Sequence, residues 1–370
     1  MFNLSKKEFR KIDKVLLFSF ISLVVFGLIV LNSAISPSRA TIKSQLISTV
    51  SGFIMLILIL FMDLDFLKRF KWVIYALIVV SLAATLFFGF GLEDWGGRSW
   101  LKFGPINIQP SELVKVALIV FLAIYLDENR NKINTIWFVI KYLFFSGVPI
   151  FLIMRQPDFG TSMVFVFIVI TMLFIAGFSW KNIAISIGLA TIVLAISIPI
   201  IWSRMDEYQK NRILDFGNTE RNLSGSGYQT EQGIIALGSG QLRGRGYMQG
   251  PFSQNRYIPE SHTDFIFPVL VEELGFLGGA VTIVLFLLLL WRILKIASDS
   301  TQLFHSTMSV GIFSLIFIHI FENIGMTMRL MPVTGIPLPF FSHGGTFQMV
   351  NIICIALIFS INVERKALDF

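Results

Sequence analysis

The chain has 370 residues, of which 55% are hydrophobic and 14% charged, and carries a net charge of +7. Soluble globular domains hold about 25% charged residues, so this composition excludes a soluble enzyme, a disordered chain and a secreted disulfide scaffold. The apolar runs are continuous rather than alternating, which excludes a β-barrel, and a single cysteine, Cys354, allows no internal disulfide. A membrane-crossing helix takes about 20 mostly apolar residues. Ten such segments occur, at 14–33, 43–62, 72–90, 111–126, 135–154, 160–178, 182–202, 265–290, 307–325 and 347–362. They predict an all-α polytopic integral membrane protein with about ten transmembrane helices, forming one membrane-embedded domain over residues 1–370. The first segment follows Lys6, Lys7, Arg10, Lys11 and Lys14. Its apolar run is too long for a signal-peptide core, so it is expected to stay as an uncleaved span.

Charge sets the expected orientation. With the N-terminus inside, the inner segments hold 15 Lys and Arg and the short outer loops hold 6. By the positive-inside rule both termini are expected in the cytoplasm. Three regions then interrupt the pattern on the outer side: 91–110, rich in Gly and Trp; a long loop, 203–264, between the seventh and eighth spans; and 329–346, carrying Pro332, Pro337, Pro339, Gly335, Gly344 and Gly345. The last is too apolar for a solvated loop and too rich in proline for a regular helix. A re-entrant or surface-lying segment packed on protein fits, because lipid does not tolerate unpaired backbone. Any chemistry is expected on this extracytoplasmic face.

The polar residues at that face are few. Pro110 suits the first position of a helix, Glu112 then sits in its first turn, and Lys115 lies three residues further on the same face. A plain ion pair accounts for them. So does a binding role, because a charge one turn inside a span is costly and usually faces a polar cavity. Asp264 stands where the long loop enters a span. It is read either as a helix cap or as a carboxylate between an aqueous cleft and an apolar helix, suited to general-base work. His262, two residues earlier, could share a divalent metal with it, although two ligands alone do not make a site. Glu272 and Glu273 lie deeper in the same span and are read as structural pairing, as are Glu322 and Asn323 with Arg329, and Arg155 with Asp158. Arg243 and Arg245 lie in a glycine-rich loop, 238–246, that matches neither a Walker A sequence nor a dinucleotide fingerprint. They could hold phosphate oxygens or lie beside lipid headgroups. Trp95 and Trp100 flank Arg98; interfacial anchoring and packing on a sugar ring both suit them.

Five stretches together resemble one family: Trp100 to Lys115 (WLKFGPINIQPSELVK), Arg155 to Thr161 (RQPDFGT), Pro259 to Phe267 (PESHTDFIF), Glu272 to Gly275 (EELG), and Pro332 to Pro339 (PVTGIPLP) followed by Gly344 and Gly345. Their order and spacing match the SEDS family (shape, elongation, division and sporulation) across nearly the whole chain. The stretch Gly238 to Gln254 looks more like its RodA branch than its FtsW branch. The resemblance implies a ten-span peptidoglycan glycosyltransferase of the bacterial plasma membrane that polymerises lipid II for cell-wall elongation and cell shape. It implies no organic cofactor, allows a divalent cation (Mg or Mn), and implies a class B penicillin-binding protein and other elongation-complex membrane proteins as partners, with no nucleic acid. The family's essential aspartate matches Asp264, its outer-loop tryptophan Trp100, and its sensitive glutamate–lysine pair Glu112 and Lys115. Arg98, Arg243, Arg245 and His262 are expected to line the substrate site, and Asp264 acts as base or metal ligand. Two departures stand out: His343 where the family usually has Tyr, and Phe347 where a small hydroxyl residue is common. Two alternatives stay open on the residues alone: a lipid-linked precursor flippase or transporter without bond chemistry, whose path Lys115, Glu272, Glu273 and Glu322 would line, and an inactive membrane scaffold for a transpeptidase.

Overall fold

The computed structural model describes residues 12–34, 39–91, 99–103, 106–179, 181–182, 203 and 226–368. In chain order these form α1 (Lys14–Ala34), α2 (Arg39–Leu60), the short α3 (Asp65–Arg69), α4 (Lys71–Phe88), a hairpin of β1 (Leu101–Phe103) and β2 (Ile106–Ile108), α5 (Pro110–Glu128), α6 (Ile136–Met154), α7 (Phe159–Ile175), α8 (Ser226–Ser239), α9 (Pro251–Gln254), α10 (Ile266–Ser298), α11 (Leu303–Thr327) and α12 (Gly345–Leu368). Nine predicted spans coincide with helices. The seventh, 182–202, lies almost wholly outside the described residues. Seven of the nine helices are long and apolar enough to cross a membrane. Of the other two, α7 has 17 residues, and α5 carries Glu112 and Lys115 inside an otherwise apolar run.

Burial sorts the helices into layers. α12 is 89% buried along its apolar window and α11 72%, whereas α4 is only 17% buried. The interior pair is surrounded: α2 packs on α12, α10 lies between α1 and α11, and α5 and α7 close the other side of α11. The outward faces stay apolar, with Phe87 and Phe88 of α4 largely exposed. A helix that is apolar on both its inward and outward faces is suited to lipid rather than water.

One end of the bundle gathers charge. Asp13 beside α1 pairs with Arg292 of α10, Lys68 bridges Asp65 at 2.9 Å and Asp127 at 3.2 Å, Lys71 pairs with Glu128, and His305 meets Glu364 at 3.2 Å. α10 thus runs to Ser298, past the predicted boundary at 290. The hydropathy pattern stops at Trp291 and Arg292, but long basic side chains extend a helix while their heads reach polar partners.

The opposite end differs more from a plain loop. Among the described residues of 203–264 two helices occur, α8 and α9, and α8 packs along α10, with Ala236, Phe265 and Val269 forming a small buried cluster. α10 itself breaks at Gly275, whose backbone is non-helical (φ 70°, ψ −172°). Such a break frees carbonyls and amides that would otherwise pair within the helix. The glycine-rich loop takes all four: Arg245 N and Gly246 N donate to Glu272 O and Glu273 O at 2.9 and 3.0 Å, while Phe276 N and Leu277 N donate to Gln241 O and Leu242 O at 2.8 and 3.2 Å. The approach is so close that a Cβ on Gly244, already at φ +84°, would fall 2.1 Å from Glu273 O. Gly244→Ala is therefore expected to cost about 2 kcal/mol or more, read as a lowered melting temperature in detergent. Gly238→Ala, where a Cβ meets nothing within 4 Å, should leave it unchanged.

The segment 329–346 runs without helix until α12 begins and is packed into protein: Leu338, Phe340 and Phe341 are fully buried. Phe340 meets Phe20 of α1 edge-on at 5.6 Å, and Phe341 meets Phe286 of α10. α1 admits this only at Gly27, where a Cβ would lie 2.2 Å from Phe340 O.

Candidate functional site

α5 supplies the charged pair. Pro110 opens the helix and Glu112 follows in its first turn, where a carboxylate complements the helix dipole. One turn on, Lys115 Nζ donates to Glu112 Oε1 at 2.8 Å, and both side chains are buried, 2% and 5% exposed. The ammonium makes a second contact, 2.9 Å to His319 Nε2 of α11, and lies 5.8 Å from the ring centroid of Phe347 on α12. Lys115 is thus enclosed by three helices. Glu322, one turn beyond His319, is also buried and within electrostatic reach of Lys115.

Asp264 is tied to the same helix. Asn323 Nδ2 of α11 donates both to Asp264 O at 2.9 Å and to Ile336 O at 2.7 Å. His319 and Asn323 are four residues apart on one face, about 6 Å along the axis. The lysine and the aspartate are therefore held at stations one helical turn apart on α11. The carboxylate rests on the Pro/Gly-rich segment: a Cβ on Gly335 would stand 3.3 Å from Asp264 Oδ2. The N-cap position of α10 is taken by Phe265, the residue after Asp264.

The turn before α12 is clamped around this station. Ser342 Oγ donates to Thr263 O at 2.6 Å and accepts Leu338 N at 2.8 Å. Gln45 of α2 spans the turn, donating to Ser342 O and accepting Gly344 N. His343 N donates to His262 O at 2.8 Å, with the two rings 5.9 Å apart. Burial, and then the His262 imidazole, push the His343 imidazole down to about 4 from its usual 6.5. The unfolded chain then binds more protons in that window, so stability should fall as pH drops from about 6.5 toward 4. His343→Tyr removes the titrating group and is expected to flatten the dependence of melting temperature on pH over that range.

The other sequence candidates fall in several places. Trp100 stands half-buried at the foot of the hairpin that leads into α5, its carbonyl accepting Phe90 N at 2.9 Å. Arg98 lies outside the described residues. Arg243 and Arg245 are exposed, on the loop whose backbone braces the α10 break. Glu272 accepts Phe252 N and Ser253 N at 2.7 and 2.9 Å, holding the start of α9, and Glu273 accepts Ser33 Oγ and Gln254 Nε2. Their structural reading is what the geometry gives. Two expected pairs do not form: Asp158 caps α7 by accepting Thr161 N instead of meeting Arg155, and Arg329 reaches Glu231 of α8 at 3.4 Å instead of Glu322. Backbone amides at a helix start and a loop helix nearby were the nearer partners. Among the described residues no three His, Cys, Asp or Glu side chains converge as a metal site. Asp264 is the sequence candidate that could hold a cation here. His319 was missed in the sequence, although a histidine inside an apolar span was a visible signal.

These features define a polytopic helical membrane protein with an enclosed ammonium–carboxylate pair beside an aspartate at the junction of loop and span. The family model for FtsW, RodA and SpoVE, described as a cell cycle protein, matches residues 13–367, and the chain belongs to this family. It is 32% identical over 373 residues to the peptidoglycan glycosyltransferase MrdB of Escherichia coli K12, covering 99% of this chain and 98% of that one. It is 36% identical to the stage V sporulation protein E of Bacillus subtilis strain 168, covering 95% and 97%. A chain from a peptidoglycan synthase complex, solved to show how polymerization and crosslinking are coordinated, superposes with a TM-score of 0.82 at 26% identity, covering 96% of this chain and 98% of that one.

Proposed function

We infer that this chain is a peptidoglycan glycosyltransferase that polymerises lipid II into glycan strands, working at the extracytoplasmic face of the bacterial plasma membrane with both termini inside. The observation that carries the reading is that the Lys115 ammonium and the Asp264 backbone carbonyl contact α11 one turn apart, at His319 and Asn323, in a chain that shares its full length with a named peptidoglycan glycosyltransferase. Asp264 takes the proton from the acceptor sugar 4-hydroxyl as that oxygen attacks the donor anomeric carbon. The bond to polyprenyl pyrophosphate breaks in the same step, and the configuration inverts from α to β. The leaving group is already activated, so no nucleotide is needed. Lys115, oriented by Glu112, stabilises the departing pyrophosphate, with Arg98, Arg243 and Arg245 as further cations on the loops and Trp100 packing on a sugar or prenyl segment. A magnesium or manganese ion on the pyrophosphate would supply the same charge stabilisation.

A class B penicillin-binding protein is the partner we propose, by analogy with the coordinated synthase complex. Assignment to the elongation branch rests on the loop Gly238 to Gln254; identity to the sporulation relative is no lower than to MrdB. The transporter alternative loses support, because Glu272 and Glu273 are occupied by α9, Ser33 and Gln254 and do not line a path. The test is polymerisation of lipid II by the purified full chain in detergent, with and without a class B partner and with chelator. Glycan strands are the expected product. Their absence under all conditions, with lipid II movement in vesicles instead, would make the chain a flippase.

A further inference from the structure

The enclosure of Lys115 has a consequence for His319. An ammonium has three donors and no acceptor. With Nζ 2.9 Å from His319 Nε2, that ring nitrogen must accept, so the imidazole proton sits on Nδ1. Nδ1 faces Leu315 O at 3.3 Å, an acceptor that suits this tautomer and no other. The ring cannot easily turn away, because Phe347 stacks on it at 5.3 Å and 25°, and His319 is 2% exposed. Two of the three ammonium donors are thus spent on fixed acceptors from two helices, Glu112 on α5 and His319 on α11.

We propose that His319 is a positioning residue for Lys115: a neutral imidazole, protonated on Nδ1, that with Glu112 fixes the ammonium so that one N–H remains for the anionic leaving group. A flexible lysine has three rotatable donors on a four-carbon stem, and one carboxylate leaves it free to swing. Two acceptors on separate helices do not. Preorganised charge acts on the transition state without reorganisation at the moment of reaction, so the effect belongs to turnover rather than to binding.

The kinetic part rests on the glycosyltransferase reading; the spectroscopic part does not. Selective 15N-histidine labelling of the full chain gives four histidines, with His319 assigned by its loss in His319→Gln. At neutral pH the expected spectrum shows an unprotonated Nε2 and a protonated Nδ1, and Lys115→Met shifts it. An Nε2-protonated ring, an imidazolium, or a signal indifferent to Lys115→Met overturns the proposal. In the polymerisation assay His319→Gln, whose amide oxygen can accept from the ammonium, should stay within about threefold of wild type. His319→Leu should lose about 10- to 100-fold in kcat with KM little changed, the effect of one charge-assisted hydrogen bond. Wild-type turnover in His319→Leu overturns it, as does a folded His319→Gln that is slowed as much as His319→Leu. If His319→Leu does not fold, the His319→Gln rate and the spectrum decide. Failure of wild type to polymerise sinks the enzymatic reading while the spectrum still judges the geometry.

Discussion

Asp264→Asn is expected to lower lipid II polymerisation by about 100-fold or more, the lower end of what a positioned general base contributes, while the protein folds and binds lipid II as before. The expectation of an intact fold comes from the way Asp264 is held. Its link to α11 runs through the backbone carbonyl, which accepts from Asn323 and survives the substitution. Asn has the same shape, so the contact with Gly335 is kept, and the N-cap position of α10 belongs to Phe265. A melting temperature within a degree or two of wild type would therefore accompany the loss of turnover. The chelator arm separates the two roles of the carboxylate. As a base, Asp264 works in a wild-type enzyme indifferent to chelation. As a ligand, it works in one that chelation stops and magnesium or manganese restores. Wild-type turnover in the asparagine variant removes Asp264 from both.

Much of the fold was legible because hydropathy reports the one constraint that dominates in lipid, the internal pairing of every backbone group. Nine spans follow from it directly. What hydropathy does not report is structure that pairs its backbone by other means. The helices α8 and α9 are set by contact with α10, and α10 breaks at Gly275 because a loop some thirty residues earlier supplies partners for the freed groups. The loop's glycines were visible, but their reason was not: at Gly244 it is the close approach of another backbone, which no local pattern encodes. At the site, the pairing of Glu112 with Lys115 was readable from their spacing of three. The joining of Lys115 to Asp264 was not, since it runs through His319 and Asn323 on a helix some two hundred residues later than α5. The departure at Phe347 gains a physical sense only there, as the ring stacked on His319.

Lys115→Met should remove activity and stability together, and the double variant with Glu112→Gln should separate them. Lys115 is the partner that Glu112 has: Oε1 accepts from Nζ, while Oε2 is buried without a hydrogen bond. Deleting the ammonium leaves a carboxylate that is 5% exposed and uncompensated, and breaking a buried pair from one side costs about 3–5 kcal/mol. The single variant should melt well below wild type. Replacing both partners by uncharged groups of similar volume removes the stranded charge, and such exchanges are often neutral or stabilising. The double variant should accordingly recover most of the lost melting temperature. Its turnover should not recover, because the methionine has no charge to meet the departing pyrophosphate; a loss of about 100- to 1,000-fold in kcat is expected, as for removal of one electrostatic donor. If the double variant instead regains wild-type polymerisation along with its stability, Lys115 serves the fold alone, and the charge that stabilises the leaving group must come from the loop arginines or a bound cation.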